Sequence, residues 1–295
     1  MKLDHFKNKK FKHFSVDSLP SSGNFICNQY NTITNAYSLR KLYSTSTRAI
    51  RVRRSSDNAE MDVVFAENIL DIQSMLNWSG SDSVFIKTWY DQMGTNDLSQ
   101  TTNAQQPRIV NAGTLDTQDG FPVVVFDGSD DNMIFGSDID ADGHGISFVY
   151  KPTSTIGTAT TAQTLISGSN GTISFFFFLG SATGGLTNER QSILTVQGGT
   201  TYGYGQTSSD ISGKQINQIY SDGTGAIYGI VNNNVSQTLA TVSTGGWNST
   251  RSPKVVRYIG QTNTSTNRFN GNIQEIIIEA NSDGSGNISG IASNI

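Results

Sequence analysis

Arg48, Arg51, Arg53 and Arg54 form the densest set of groups in this sequence that could do binding chemistry. Planar guanidinium groups take oxygen acceptors bidentately, so the set suits an anion or a glycan. Asp57, Glu60 and Asp62 follow closely, and mutual pairing on a solvated strand is the competing reading. Trp89 and Tyr90, with Asp91 beside them, are the second set, because aromatic faces stack on sugar rings. Neighbours on a strand point to opposite faces, so one of the two aromatics is expected inside. Carbohydrate contact is therefore placed on Arg51, Arg53, Trp89, Tyr90 and Asp91.

Metal and covalent chemistry have fewer candidates. Asp138-Ile-Asp-Ala-Asp-Gly143 matches the first half of an EF-hand loop, with Asp138, Asp140 and Asp142 as ligands for Ca2+. Position twelve of that loop would be Val149, not the bidentate glutamate, so a plain acidic turn is the alternative. No other cofactor is expected. His5, His13 and His144 form no metal set, Cys27 has no histidine nearby, and no glycine-rich phosphate loop joins a strand to a helix.

The elements that must position these groups are mainly strands. Ile50 and Val52 alternate with Arg51 and Arg53, a period of two that gives one apolar and one cationic face, and Ser55-Ser-Asp-Asn58 turns the chain. Val84-Phe-Ile-Lys-Thr-Trp-Tyr90 reads as its partner strand. Asn35 is a plausible N-cap for a short helix carrying Leu39, Leu42 and Tyr43, and a second helix is expected from about Asn68 to Trp78. Phe121 to Ile134 reads as a hairpin around Asp127-Gly128. Strands are then expected at 146–152, 164–167, 173–179, 192–196, 216–221, 226–231, 255–260 and 269–278. In Ile173-Ser-Phe-Phe-Phe-Phe-Leu179, the residues Ile173, Phe175, Phe177 and Leu179 share one face and pack inward.

Ala36-Tyr-Ser-Leu-Arg-Lys-Leu42, Ile50 to Asn58, Thr88-Trp-Tyr-Asp-Gln92 and Gln106-Pro-Arg-Ile-Val110 together resemble the catalytic domain of α-L-arabinofuranosidase B type glycoside hydrolases. The same pattern is similar to a group of tailed-bacteriophage structural proteins built on a concanavalin A-like sandwich. The resemblance implies an all-β fold: a concanavalin A-like, laminin G-like antiparallel β-sandwich or jelly roll, with one or two short helices in the first third. It also implies two catalytic carboxyl groups, a glutamate shortly before the strand matching 173–179 and an aspartate after the closing strand. Thr164 to Gly180 holds no acid, and only Glu279 and Asp283 follow that last strand. Neither role transfers, so turnover is not expected, and Glu189, Asp210, Glu275, Glu279 and Asp283 are the acids that would test this.

Composition bounds the partners. The chain has 295 residues, 30 glycines and only 15% charged residues, the make-up of many short strands joined by polar turns. Its net charge of −4 argues against a nucleic-acid surface, and a single cysteine excludes an intrachain disulfide. No apolar run follows the charged first residues, which argues against a leader peptide or membrane span. Residues 1–30 read as a basic, irregular docking arm whose contacts are Phe6, Lys9, Lys10, Phe11, Lys12 and Phe14, and residues 31–295 as one sandwich domain. The expectation is a virion structural protein of a tailed phage, a decoration or fibre-type display module. It would be made in the host cytoplasm and anchored through its arm to other virion proteins on the particle surface. Homo-oligomerisation and contact with a host surface glycan fit the same picture. The alternative is a glycoside hydrolase of the α-L-arabinofuranosidase type.

Overall fold

The computed structural model describes residues 25–94, 96–141, 144–153, 163–169, 173–179, 191–197, 200–206, 215–221, 227–232, 235–237, 239–241, 255–262, 265 and 267–280. The expected contacts in residues 6–14 of the arm, and Asp142, lie outside them. In chain order come α1 (Ile26–Gln29), β1 (Ile33–Ser38), β2 (Arg48–Arg54), β3 (Glu60–Ala66), β4 (Ile69–Leu70), α2 (Ile72–Ser79), β5 (Val84–Trp89) and β6 (Leu98–Ser99). Next are β7 (Arg108–Asn111), β8 (Thr114–Leu115), β9 (Thr117–Gln118), β10 (Phe121–Pro122), β11 (Val124–Asp127), β12 (Met133–Asp140), β13 (His144–Pro152), β14 (Gln163–Ser169) and β15 (Ile173–Leu179). Last are β16 (Gln191–Gln197), β17 (Thr200–Gln206), β18 (Gln215–Ser221), β19 (Ile227–Asn232), β20 (Val235–Gln237), β21 (Leu239–Thr241), β22 (Val255–Ile259) and β23 (Asn270–Ala280).

All these strands pair antiparallel, and the pairings define two layers. One runs β20-β19-β18-β13-β23, and β23 then pairs with β1 along its second half and with β11 along its first. The other runs β21-β17-β16-β15-β14-β22-β12-β6. The layers part at β5, which keeps β2 along one edge. On its other edge Val84 and Phe85 pair with β7 and Thr88 and Trp89 with β6. The chain is an all-β sandwich, as the sequence predicts, and both described α-helices precede Gly80, with one 3-10 turn at Asn103–Gln105 beyond it.

One apolar core fills the space between the layers. Ile146, Phe148 and Tyr150 of β13 and Ile276 and Ile278 of β23 meet Met133, Phe135, Leu165, Ile166, Val256 and Ile259 of the opposite layer. Phe177 is fully buried and stacks on Phe148 at 6.1 Å between ring centroids, and Leu179 is buried with it, as alternation along β15 requires. A second cluster of Ile26, Cys27, Ile33, Ala36, Leu42 and Ile277 covers the outer face of β23. The body of the fold thus begins by Phe25 and takes in the last residues of the expected arm. Burial pushes the Cys27 thiol pKa up, so it packs as a small apolar group.

Three sequence expectations change. Residues 35–43 form no helix: Ala36 and Tyr37 lie on β1, opposite Ile277 and Ile276 of β23. Strand pairing overrides local propensity here, with Tyr37 in the main core and Ala36 in the outer cluster. The second helix is shorter than expected. Asp71 caps it by accepting the Ser74 N–H at 3.1 Å, while Ile69–Leu70 go instead to a hairpin with β3. The segment 121–134 is not a hairpin, because β11 pairs with β23 and β7 while β12 pairs with β22 and β6. The Asp127–Asp131 turn carries the chain from one layer to the other. Gly128 stands there at φ +78°, where a Cβ would lie 2.7 Å from that of Asn270.

Between β1 and β23 lies an ion pair with little access to water. Arg40 donates to both oxygens of Glu275 at 2.8 and 2.9 Å, and the Ser38 hydroxyl donates to one of them at 2.8 Å. The Glu275 side chain is 4% exposed. Arg40→Ala should therefore destabilise the fold by about 3–5 kcal/mol, because it strands a buried carboxylate. The expected readout is a lower urea midpoint, with Glu275→Gln less harmful than Arg40→Ala.

Candidate functional site

The β1–β2 connection and the β5–β6 connection face each other across an open groove of about 290 Å³. Asp91 and Gln92 staple its floor. Asp91 Oδ1 accepts the N–H groups of Ala36 and Met93, both at 3.0 Å, and Oδ2 accepts the Asn35 amide at 2.8 Å. Gln92 Oε1 accepts the Leu42 N–H at 2.7 Å, and its amide nitrogen donates to the Arg40 carbonyl at 2.9 Å. Burial pushes the Asp91 carboxyl above its ordinary pKa range, against the pull of those donors. Asp97 is fixed in turn, since its Oδ1 accepts the Asp91 N–H at 2.9 Å.

The walls carry hydroxyls from Tyr43 and Thr45 to Thr47, together with Arg48, Tyr90 and Asp97. The Arg48 guanidinium sits 4.0 Å from the Tyr90 ring centroid. Tyr90 donates its hydroxyl to Asp62 at 2.7 Å, and burial together with that bond raises its pKa, so it stays a neutral phenol. Arg48 is an exposed side chain held by a ring. Every other described arginine has an oxygen acceptor, whereas Arg48 has none among the described residues.

The sequence grouped the arginines, and the structure separates them. Arg51 pairs with Glu60 at 2.8 Å and Asp62 at 3.1 Å across the β2–β3 ladder. Such exposed pairs contribute about 0–1 kcal/mol each, and here they spend the donors. Arg53 is 7% exposed and bonds the Gln106 amide oxygen at 2.7 Å, Asn58 at 3.0 Å and the Asn103 carbonyl at 3.1 Å. Arg54 holds Asp57 at 2.7 Å and lies over Trp78. Trp89 is fully buried beside Tyr37 in the core, which removes it from any sugar contact. Of the five expected contacts, Tyr90 and Asp91 reach the groove, and Asp91 does so with both oxygens already bonded. Asp97, Gln92 and the hydroxyl run at 45–47 were not singled out in the sequence. A cluster of short polar residues between strands reads as an ordinary turn.

The carboxyl groups expected to matter for catalysis divide the same way. Glu275 is closed by Arg40 and Ser38, and Glu279 is 2% exposed, with the Thr32 hydroxyl 3.4 Å from its Oε2. Glu189, Asp210 and Asp283 lie outside the described residues. The EF-hand-like loop does not form at Asp138 and Asp140. Both lie on β12, where Ile139 and Asp140 pair with β22, and Asp138 pairs with Arg257 at 2.6 Å. Among the described residues the three carboxylates that gather are Asp127, Asp130 and Asp131, within 4.8 Å of one another. There Asp127 Oδ1 accepts the Ser129 N–H at 2.7 Å and Asp131 Oδ2 accepts the Asp127 N–H at 2.9 Å, bonds that build the crossing turn.

No protein-family model matches the sequence, and no curated protein matches it. Among solved structures the fold is similar to an arabinofuranosidase in complex with arabinofuranosyl-α-1,2-xylobiose. The TM-score is 0.64 at 16% identity, over 91% of this chain and 63% of that one. A GH54 α-L-arabinofuranosidase soaked with a cyclic sulfate inhibitor gives a TM-score of 0.57 at 13% identity, over 91% and 64%. The chain thus spans less than two thirds of the length of either enzyme. The likeness extends to the sandwich as a whole and shows that the chain has this type of fold.

Asp131 offers a check on the crossing turn. It is 6% exposed, and burial, with the negative charges of Asp127 and Asp130, pushes its carboxyl up to about 7. Below about pH 4 both folded and unfolded chains hold this proton and the group's contribution to folding is fully present, whereas above that pH only the folded state holds it. That contribution is lost as pH rises through about 7. Thermal unfolding should show Tm falling across that window, and Asp131→Asn should flatten the slope.

Proposed function

We propose that the chain is a glycan-directed sandwich of the arabinofuranosidase type, with a terminal α-L-arabinofuranosyl group as ligand and hydrolysis of its glycosidic bond as activity. The observation that carries this reading is the likeness of fold, at a TM-score of 0.64 over 91% of the chain, to an enzyme solved with an arabinofuranosyl xylobiose. The hydroxyl-rich, open groove agrees with a sugar ligand.

Hydrolysis with retention needs a nucleophile and an acid/base roughly 5 Å apart. Glu275 and Glu279 are committed to partners inside the fold. Glu189, Asp210 and Asp283 remain of the five acids singled out in the sequence. A second reading, display on a tailed phage particle, is favoured by one feature: five lysines against Asp4 in residues 1–14, in a chain of net charge −4. That feature belongs to the sequence alone, and neither the fold nor the compared structures add to it. Both readings keep a glycan-facing surface and differ in turnover.

The test is release of 4-nitrophenol from its α-L-arabinofuranoside by the purified chain. Turnover should fall by roughly 10²-fold or more in Glu189→Gln, Asp210→Asn or Asp283→Asn, the usual loss when a catalytic carboxyl is removed. It should persist in Glu67→Gln. A chain that binds arabinan without releasing nitrophenol would remove the hydrolase and leave the display module.

A further inference from the structure

We propose that the groove between the β1–β2 and β5–β6 connections is a saccharide-binding subsite separate from the carboxyl groups of turnover, taking one neutral sugar unit between Arg48 and Asp97. The choice of a sugar rests on the glycan-directed reading. The location and the charge balance rest on the groove itself.

Size sets the first limit. Pockets for drug-sized ligands run roughly 300–1,000 Å³, so a groove of about 290 Å³ takes a single ring and leaves the rest of a chain outside. Arg48 supplies the donors. Its guanidinium N–H groups meet no acceptor among the described residues, and the Tyr90 ring 4.0 Å away holds the plane in place. The ordering cost of that side chain is therefore met before a ligand arrives. Tyr90 is itself anchored through its bond to Asp62.

Asp97 supplies the matching acceptor. Its Oδ1 is fixed by the Asp91 N–H, while Oδ2 receives no donor from the described residues. A vicinal diol satisfies both groups, with one hydroxyl oxygen accepting from Arg48 and its neighbour donating to Asp97. A uronate or phosphate would gain Arg48 but face the Asp97 carboxylate, so an anionic ligand is disfavoured. The groove binds without cleaving, because glycoside hydrolysis takes two working carboxyl groups. Asp91, the other acid on its lining, has both oxygens occupied by Ala36, Met93 and Asn35.

The test is isothermal titration of the full chain with methyl α-L-arabinofuranoside, methyl β-D-glucopyranoside and glucuronate. Saturable millimolar binding of a neutral glycoside is expected, weakened at least tenfold in Arg48→Ala and in Asp97→Asn. Both variants should keep the parent Tm, and Arg257→Ala should bind as the parent does. Arg48→Lys should also bind weakly, since an ammonium lacks the planar fork. The subsite is overturned if Arg48→Ala binds like the parent, if glucuronate is preferred, or if no neutral sugar binds. The nitrophenyl assay reports separately: turnover without this binding removes the subsite and keeps the hydrolase, and binding without turnover does the reverse.

Discussion

A strand covered on both faces cannot alternate apolar and polar residues, and β23 is such a strand. Ile276 and Ile278 enter the core between the layers, while Ile277 enters the cluster with Ile26, Ala36 and Leu42. Three strands hydrogen-bond along its edges: β13 on one side, and β1 and β11 in succession on the other. Glu275, an acid buried among these isoleucines, is matched by Arg40 and Ser38 from the far end of the sequence. Removing one partner would cost more than the pair contributes, because desolvation dominates for a charge so placed. The rest of the sandwich is hung from this strand.

The groove is rigid because of the same linkage. Asp91 and Gln92 bond β1 and the chain beyond it from the opposite connection, so the two walls are fixed to each other through the backbone of residues 36–42. Preorganisation of this kind matters for sugars, whose individual hydrogen bonds are weak and must form together. Arg48 differs from Arg51, Arg53 and Arg54 for a geometric reason. Opposite Arg51 lies Asp62 and opposite Arg53 lies Glu60, whereas opposite Arg48 lies Val64. Arg51 is spent on Asp62 opposite and Glu60 beside it, Arg53 on Gln106, Asn58 and the Asn103 carbonyl, and Arg54 on Asp57 in the following turn, while no acceptor among the described residues faces Arg48.

Much of this fold was legible in the chain. The β-rich runs Ile50 to Arg54 and Val84 to Tyr90 and the unbroken isoleucines of β23 mark strands by composition, although Arg53, expected on a cationic face, is buried. What was not legible depends on partners distant in sequence. Asn35 looks like a helix cap, yet its amide is claimed by Asp91, and Ile33 to Ser38 are claimed by β23. Asp127-Gly128 looks like a hairpin turn, and only the pairing of β11 with β23 reveals a crossing between layers. The site was harder still. Tyr90 and Asp91 stood out by type, but Trp89 beside them is core, and the proposed groups Arg48 and Asp97 are set apart by partners that the described residues do not supply, a property no local pattern encodes.

The position of β23 also sets a timetable. The hairpin of β2 with β3, and the pairing of β2 with β5 and of β5 with β6 and β7, join residues near one another in the chain, and a ribosome delivers them together. β1 must wait, since Ile33 finds Glu279 only after all the residues between them have emerged. Until then the apolar edge of β1 and the faces around Ala36 and Leu42 have no cover. Pairing across such a separation is slow, because loop closure must be met before any contact rewards it. The nascent chain therefore carries an uncovered, half-built sheet until β23 is made, and exposed apolar faces and unpaired strand edges of that kind are prone to aggregate.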